Sequence, residues 1–151
     1  MTILPESEIE QILVEALRES AGDYRLVAAR SGVQVEEAGD PGVVTVAVGA
    51  RAHDSFSLPT LNFSGSVAVV TRRECDTDGA KHDAVTAAVF SFLSRLHDFP
   101  GELATLFAAA SFRPAAIRLD GGAMPDLANG IIADSINFTL RGVIVPPAPE
   151  S

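Results

Sequence analysis

The chain has 151 residues, 47% hydrophobic and 21% charged, with twenty acidic against eleven basic side chains and a formal net charge of −9. That length suits one domain with a sizeable core, and the composition is too apolar for a wholly disordered chain. The negative charge opposes wrapping by nucleic acid, no apolar run approaches the roughly 18 residues that span a bilayer, and Met1-Thr2-Ile3-Leu4-Pro5-Glu6 lacks the basic start and apolar core of a signal peptide. A location in the cytosol is therefore the expectation. Cys75 is the single cysteine, which excludes an internal disulfide and a thiolate metal site.

In chain order, Pro5 to Ser20 predicts a helix, with Ser7 placed to cap it and Ile9, Ile12, Leu13, Ala16 and Leu17 at helical spacing. Ala21-Gly22-Asp23 ends it. Tyr24 to Asp40 is mixed and rich in Glu and Gly, with a short strand expected near Val33 to Val35. Val43 to Ala50 is β-branched and predicts a strand, and Leu61 to Arg73 predicts the next. In that second strand Leu61, Phe63, Val67, Val69 and Thr71 share one face, while Asn62, Ser64, Ser66 and Arg72 share the other. The connection from His53 to Thr60 is too long for a two-residue hairpin turn, so a protruding loop is expected.

After Cys75-Asp76-Thr77-Asp78-Gly79 the period changes from two to about 3.6. Ala80 to His97 then predicts a helix with Val85, Val89, Phe92, Leu93 and Leu96 along one stripe, Asp83 in its first turn and His97 in its last, as the helix dipole favours. Phe99-Pro100-Gly101 breaks it, and a short helix from Glu102 to Ala110 follows with Leu103, Leu106 and Phe107 as its apolar side. Arg113 to Leu119 is extended, Asp120-Gly121-Gly122 marks a turn, and Asp126 to Gly130 reads as a mobile connection. The final strand, Ile132 to Val145, sets Ile132, Ile136, Phe138, Leu140 and Ile144 against Ser135, Asn137, Thr139 and Arg141, with the polar Asp134 breaking the apolar row. The pattern predicts an α+β fold: a mainly antiparallel mixed sheet of four to five strands with two main helices on one face. A single domain is expected over 1–145 and a flexible proline-rich tail over 146–151.

Chemistry-bearing patterns are sparse. Asp76-x-Asp78-Gly79, followed by His82 and Asp83, clusters oxygen ligands beside an imidazole, which is the material of a divalent-metal site. A calcium loop would need further ligands and a Glu at its twelfth position, where this chain runs into Ala87-Ala88 instead. A solvated turn and helix cap is the better reading. His53, His82 and His97 accompany several serines without a Gly-x-Ser-x-Gly elbow, so they read as surface groups or dipole partners. Cys75 beside Arg72 and Arg73 reads as an inert strand-end thiol. Asp120-Gly121-Gly122-Ala123-Met124-Pro125 lacks the Gly-Lys-Ser/Thr ending of a phosphate loop, and Arg72-Arg73 alone is too small a footprint for nucleic acid.

Val43-Val44-Thr45-Val46-Ala47-Val48, then Leu61-Asn62-Phe63-Ser64-Gly65-Ser66-Val67-Ala68-Val69-Val70-Thr71, the Asp78 to Leu96 helix and Ile131-Ile132-Ala133-Asp134-Ser135-Ile136-Asn137-Phe138-Thr139-Leu140 follow one another in an order that resembles the tail terminator or tail completion proteins of long-tailed bacteriophages. The resemblance covers most of the chain and lies in order and periodicity. It implies a structural protein without catalytic residues or cofactors, forming a homohexameric ring that caps the tail tube and joins it to the head connector. The expected location is then the virion neck, with host cytoplasm during assembly. DNA would pass through the lumen without sequence-specific contact, and the acidic balance suits a lumen that does not hold phosphate. The stretch from Ser31 to Pro41 and the proline-rich tail have no counterpart in that resemblance.

The ring would use exposed edges and loops, with His53, Asp54, Phe56, Leu58, Arg72, Arg73, Asp120 and Met124 as the expected interface residues. Phe56 and Leu58 lead that set, because apolar side chains on a protrusion need a partner. Two alternatives stand beside it: a head completion or connector adaptor protein of the same neck, and a small metal-dependent enzyme using Asp76, Asp78, His82 and Asp83.

Overall fold

Alternating apolar residues give the chain long strands buried on one side, and the stripes of the intervening segments give helices that cover that side. The computed structural model describes residues 5–22, 24–28, 42–53, 60–72, 74, 79–122 and 131–144. Its elements run α1 (Pro5–Ala16), α2 (Arg18–Ala21), β1 (Arg25–Ala28), β2 (Gly42–His53), β3 (Thr60–Arg72), α3 (Ala80–Asp98), α4 (Pro100–Leu106), β4 (Phe112–Gly122) and β5 (Ile131–Ile144). The sheet has five strands in the order β1-β2-β3-β5-β4. β1 is parallel to β2 and every other pair is antiparallel. The α+β class and the mainly antiparallel sheet are as the pattern predicts, and the two main helices, α1 and α3, are accompanied by the short α2 and by α4. No helix among the described residues is long and apolar enough to cross a membrane.

Several boundaries differ from expectation. The first helix is divided at Leu17, although the Leu17 N–H still reaches the Leu13 carbonyl at 2.9 Å and the Ala21 N–H reaches Leu17 at 2.9 Å. Ser7 lies inside α1, so it is not the cap. α3 begins after Gly79, which occupies the N-cap at φ 75° with no side-chain cap. Asp78 lies outside the described residues, as do the stretch around Val33 to Val35 and the 146–151 tail. Pro100 is a first-turn residue of α4, because a missing N–H costs nothing there. Asp120 sits within β4, opposite Asn137, and not in a turn.

One hydrophobic cluster joins both layers. The sheet contributes Val44, Val46 and Val48 from β2, Leu61, Phe63, Val67 and Val69 from β3, Ile136, Phe138 and Leu140 from β5, and Phe112 and Ile117 from β4. These positions belong to one face of the sheet. Ile9, Leu13 and Leu17, Val85, Val89, Leu93 and Leu96, and Leu103 and Phe107 fill it from the helical side, so the described helices pack on that face.

A buried carboxyl side chain pins α1 to β2. The β2–β3 register shifts between Val48 and Ala50, and Glu10, only 1% exposed, accepts the Val48 N–H at 2.9 Å. Removing that acceptor costs the Val48 N–H this 2.9 Å bond in a buried setting. Glu10→Ala is expected to destabilise the chain by about 1–3 kcal/mol, read as a lower urea midpoint with unchanged slope.

Candidate functional site

The most concentrated polar chemistry lies inside the molecule, at the apolar-face positions where polar residues break the pattern. Thr71 ends the inward row of β3, Asp134 interrupts that of β5, and His82 projects from the first turns of α3. Their chain runs from the Tyr24 hydroxyl to Thr71 Oγ1 at 2.7 Å, from Thr71 Oγ1 to His82 Nδ1 at 2.6 Å, and from His82 Nε2 to Asp134 Oδ2 at 2.7 Å. Thr71 and His82 are fully enclosed, while the Asp134 side chain keeps 27% of its surface in contact with solvent. Strand register brings the outer members together, because Val69 pairs with Asp134 and Thr71 with Ile132. A neutral ring that donates Nε2–H to the Asp134 carboxylate presents Nδ1 as an acceptor. Thr71 then donates its hydroxyl hydrogen to Nδ1 and accepts from the Tyr24 phenol.

Thr, His and Asp in sequence resemble a hydrolytic triad only on paper. Thr71 Oγ1 lies in the core with both neighbours engaged, so no substrate atom can approach it. The arrangement is suited to fixing α3 on the sheet. It corrects the reading of His82 as a surface or dipole group and removes the imidazole from the imagined metal loop: both ring nitrogens are committed to Thr71 and Asp134. Asp83 points outward on α3, and Asp76 and Asp78 lie outside the described residues. Among the described residues no group of three or more His, Cys, Asp or Glu could hold a metal ion. His97 does sit at the helix end as expected, where its Nδ1 donates to the Ile117 carbonyl at 2.7 Å and ties α3 to β4.

Of the expected interface residues, Asp54, Phe56, Leu58, Arg73 and Met124 lie outside the described residues, and His53 is placed only as the last residue of β2. Arg72 ends β3, half-buried, 3.8 Å from Glu74. Asp120 is exposed on β4, accepting from Arg118 Nε at 2.8 Å and from the Thr139 hydroxyl at 3.0 Å. Sequence reasoning therefore reached the strand carrying Asp120 but missed its neighbours. On the sheet face opposite the helices, β4 and β5 expose Arg113, Arg118, Asn137, Arg141 and Val143 together with Asp120.

The helical layer offers the other surface. Phe92, Leu96, Phe99, Pro100 and Leu106 line a groove of about 790 Å³ at the α3–α4 elbow, and Phe99 is 56% exposed. A second groove, lined by Ile12 and Ala16 of α1, meets it at Leu106. Arg95 clasps the elbow, giving Glu102 two hydrogen bonds at 2.7 and 2.8 Å while its guanidinium lies 5.9 Å from the Phe99 ring. Hydrogen bonding to Arg95 holds the Glu102 carboxyl below the usual carboxylate range. Its folded value lies below its unfolded one, so the clasp is complete above the ordinary carboxylate range and is lost as pH falls through the lowered value. Titrating Glu102 by NMR should give a midpoint below that of an unpaired glutamate, and Arg95→Ala should restore the ordinary one.

No family model matches the sequence, and no curated protein is significantly similar to it.

Proposed function

We propose that the chain is a structural subunit of the phage neck, assembling into a homohexameric ring that caps the tail tube, joins it to the head connector and leaves a passage for DNA. The observation that carries this reading is the two-sided construction. Across β4 and β5 one sheet face is left to solvent with charged and polar side chains, while the opposite layer presents an apolar elbow with exposed Phe99. Such a subunit has two different surfaces to offer to neighbours, which is what a closed rotational ring requires. The enclosure of His82 among structural partners also leaves the metal-dependent alternative without its nitrogen ligand.

Sedimentation of the purified chain, alone and with its tail-tube protein, should give a six-fold multiple of the 15.8 kDa protomer, and negative-stain images should show rings. A monomer at high concentration under both conditions would overturn the reading. Retention by the head connector but not by the tube would move the protein to the adjacent ring of the neck.

A further inference from the structure

We propose that the groove at the α3–α4 elbow, continued beyond Leu106 by the groove on α1, receives an amphipathic helix of a partner protein whose apolar face is flanked by basic residues, a contact that does not depend on ring closure. The apolar part of this trough comes from Phe92, Leu96, Phe99 and Leu106 at the elbow and from Ile12 and Ala16 of α1. Volumes of about 790 and 500 Å³ that meet at Leu106 form a run longer than a compact ligand fills, and anchors spaced along one helix face suit it. Phe90, exposed on α3 beside β5, lies outside the trough, so a bound helix leaves an apolar residue of this layer for a neighbouring copy.

Charge decides which kind of helix fits. Asp98, Glu102, Glu8 and Glu15 border the two grooves, and among the described residues Arg95 is the one cation that lines them. Arg95 is engaged by Glu102 at 2.7 Å and Glu15 is answered by Arg18 at 2.7 Å, so Glu8 and Asp98 leave the border net negative. Glu8 accepts the Ser111 N–H and hydroxyl at 2.9 and 2.8 Å, neutral donors that cancel none of its charge. An apolar floor inside a border of one sign favours a partner with the opposite sign around its own apolar anchors. The described helices of a second copy are a poor source of such a partner. α1 has no basic residue, α2 and α3 balance their acidic and basic side chains, and α4 carries Glu102 alone. Anionic lipid and nucleic-acid phosphate would be repelled by the same border.

Fluorescence anisotropy with the full chain provides the test. The probe is a fluorescein-labelled synthetic helix of about four turns, with leucine along one face at helical spacing and lysine on the flanking positions. It should bind with a Kd in the micromolar range. A version with glutamate at every lysine position, and one of the same composition scrambled to break the leucine face, should each bind about 10-fold more weakly or worse. Phe99→Ser should weaken the lysine probe by about 10-fold, and Asp98→Lys by about 5-fold, both at exposed positions and both checked for folding by circular dichroism. Phe90→Ala should leave binding unchanged. Amide shifts of the isotope-labelled chain should move around Ile12, Phe99 and Leu106 when the probe is added. A lysine probe that does not bind, a glutamate or scrambled version that binds as well, or shifts confined to another surface would each overturn the proposal. So would retention of the chain on phosphatidylserine vesicles that Phe99→Ser abolishes, since the trough would then serve a membrane.

Discussion

A chain carrying Phe63→Ala should unfold about 3–5 kcal/mol more easily than wild type, a large part of the stability of an ordinary domain. Phe63 is wholly enclosed near the start of β3, opposite Leu140 of β5. Its ring reaches past β5 to meet Phe112 of β4 edge-on at 4.8 Å, and Phe112 in turn meets Phe107, just after α4, at 6.4 Å. Losing Phe63 therefore removes one large side chain's burial and one aromatic contact, and leaves a cavity between strands that close-packed neighbours cannot fill. Urea unfolding followed by circular dichroism measures the loss, and an unchanged slope would show that the native fold persists. Phe90→Ala supplies the contrast, because Phe90 is half exposed on α3 and its removal should stay within about 0.5 kcal/mol.

That contrast also shows what the sequence could convey. Alternation places Phe63 on the apolar face of its strand, and helical spacing places Leu93 and Leu96 on the apolar stripe, because burial on one face imposes a period that local composition records. β1 left no such record: four residues, of which Val27 is buried and Leu26 only partly so, give too short a pattern, and its parallel pairing with β2 is set by distant chain. Asp120-Gly121-Gly122 has turn composition, yet Asp120 and Gly122 continue β4 because Asn137 and Ile136 pair with them, tertiary context overriding propensity. The surfaces were less legible than the core. Arg113 and Arg118 of β4 come beside Arg141 of β5 only through antiparallel register. The buried polar chain did leave a trace, as Thr71 and Asp134 occupy apolar-face positions in their strands. A polar residue at such a position asks for a partner, but the sequence does not name His82 as the one that answers both.

Replacing His82 with Ala should cost about 2–4 kcal/mol, since it combines a cavity with polar groups that lose their partner inside the core. Thr71 Oγ1 and Asp134 Oδ2 each lose a hydrogen bond to the ring, at 2.6 and 2.7 Å respectively, and the enclosed Thr71 gains no water in exchange. At roughly 2–4 °C per kcal/mol for a chain of this size, the melting temperature should fall by on the order of 10 °C. The combined variant Tyr24→Phe, Thr71→Val, His82→Leu, Asp134→Leu should lose less than His82→Ala, because it removes donors and acceptors together and keeps the volume filled. If the combined variant proved the less stable of the two, the chain would owe its contribution to the bonds themselves and not to the penalty of breaking them. The expected order assigns the polar chain a role in orientation. His82 can meet Thr71 of β3 and Asp134 of β5 together only in one rotation of α3 about its axis. That rotation also sets where Phe92, Leu96 and Phe99 stand, so the combined variant should keep its stability better than it keeps the α3–α4 groove, read as a change in the solvent exposure of Phe99.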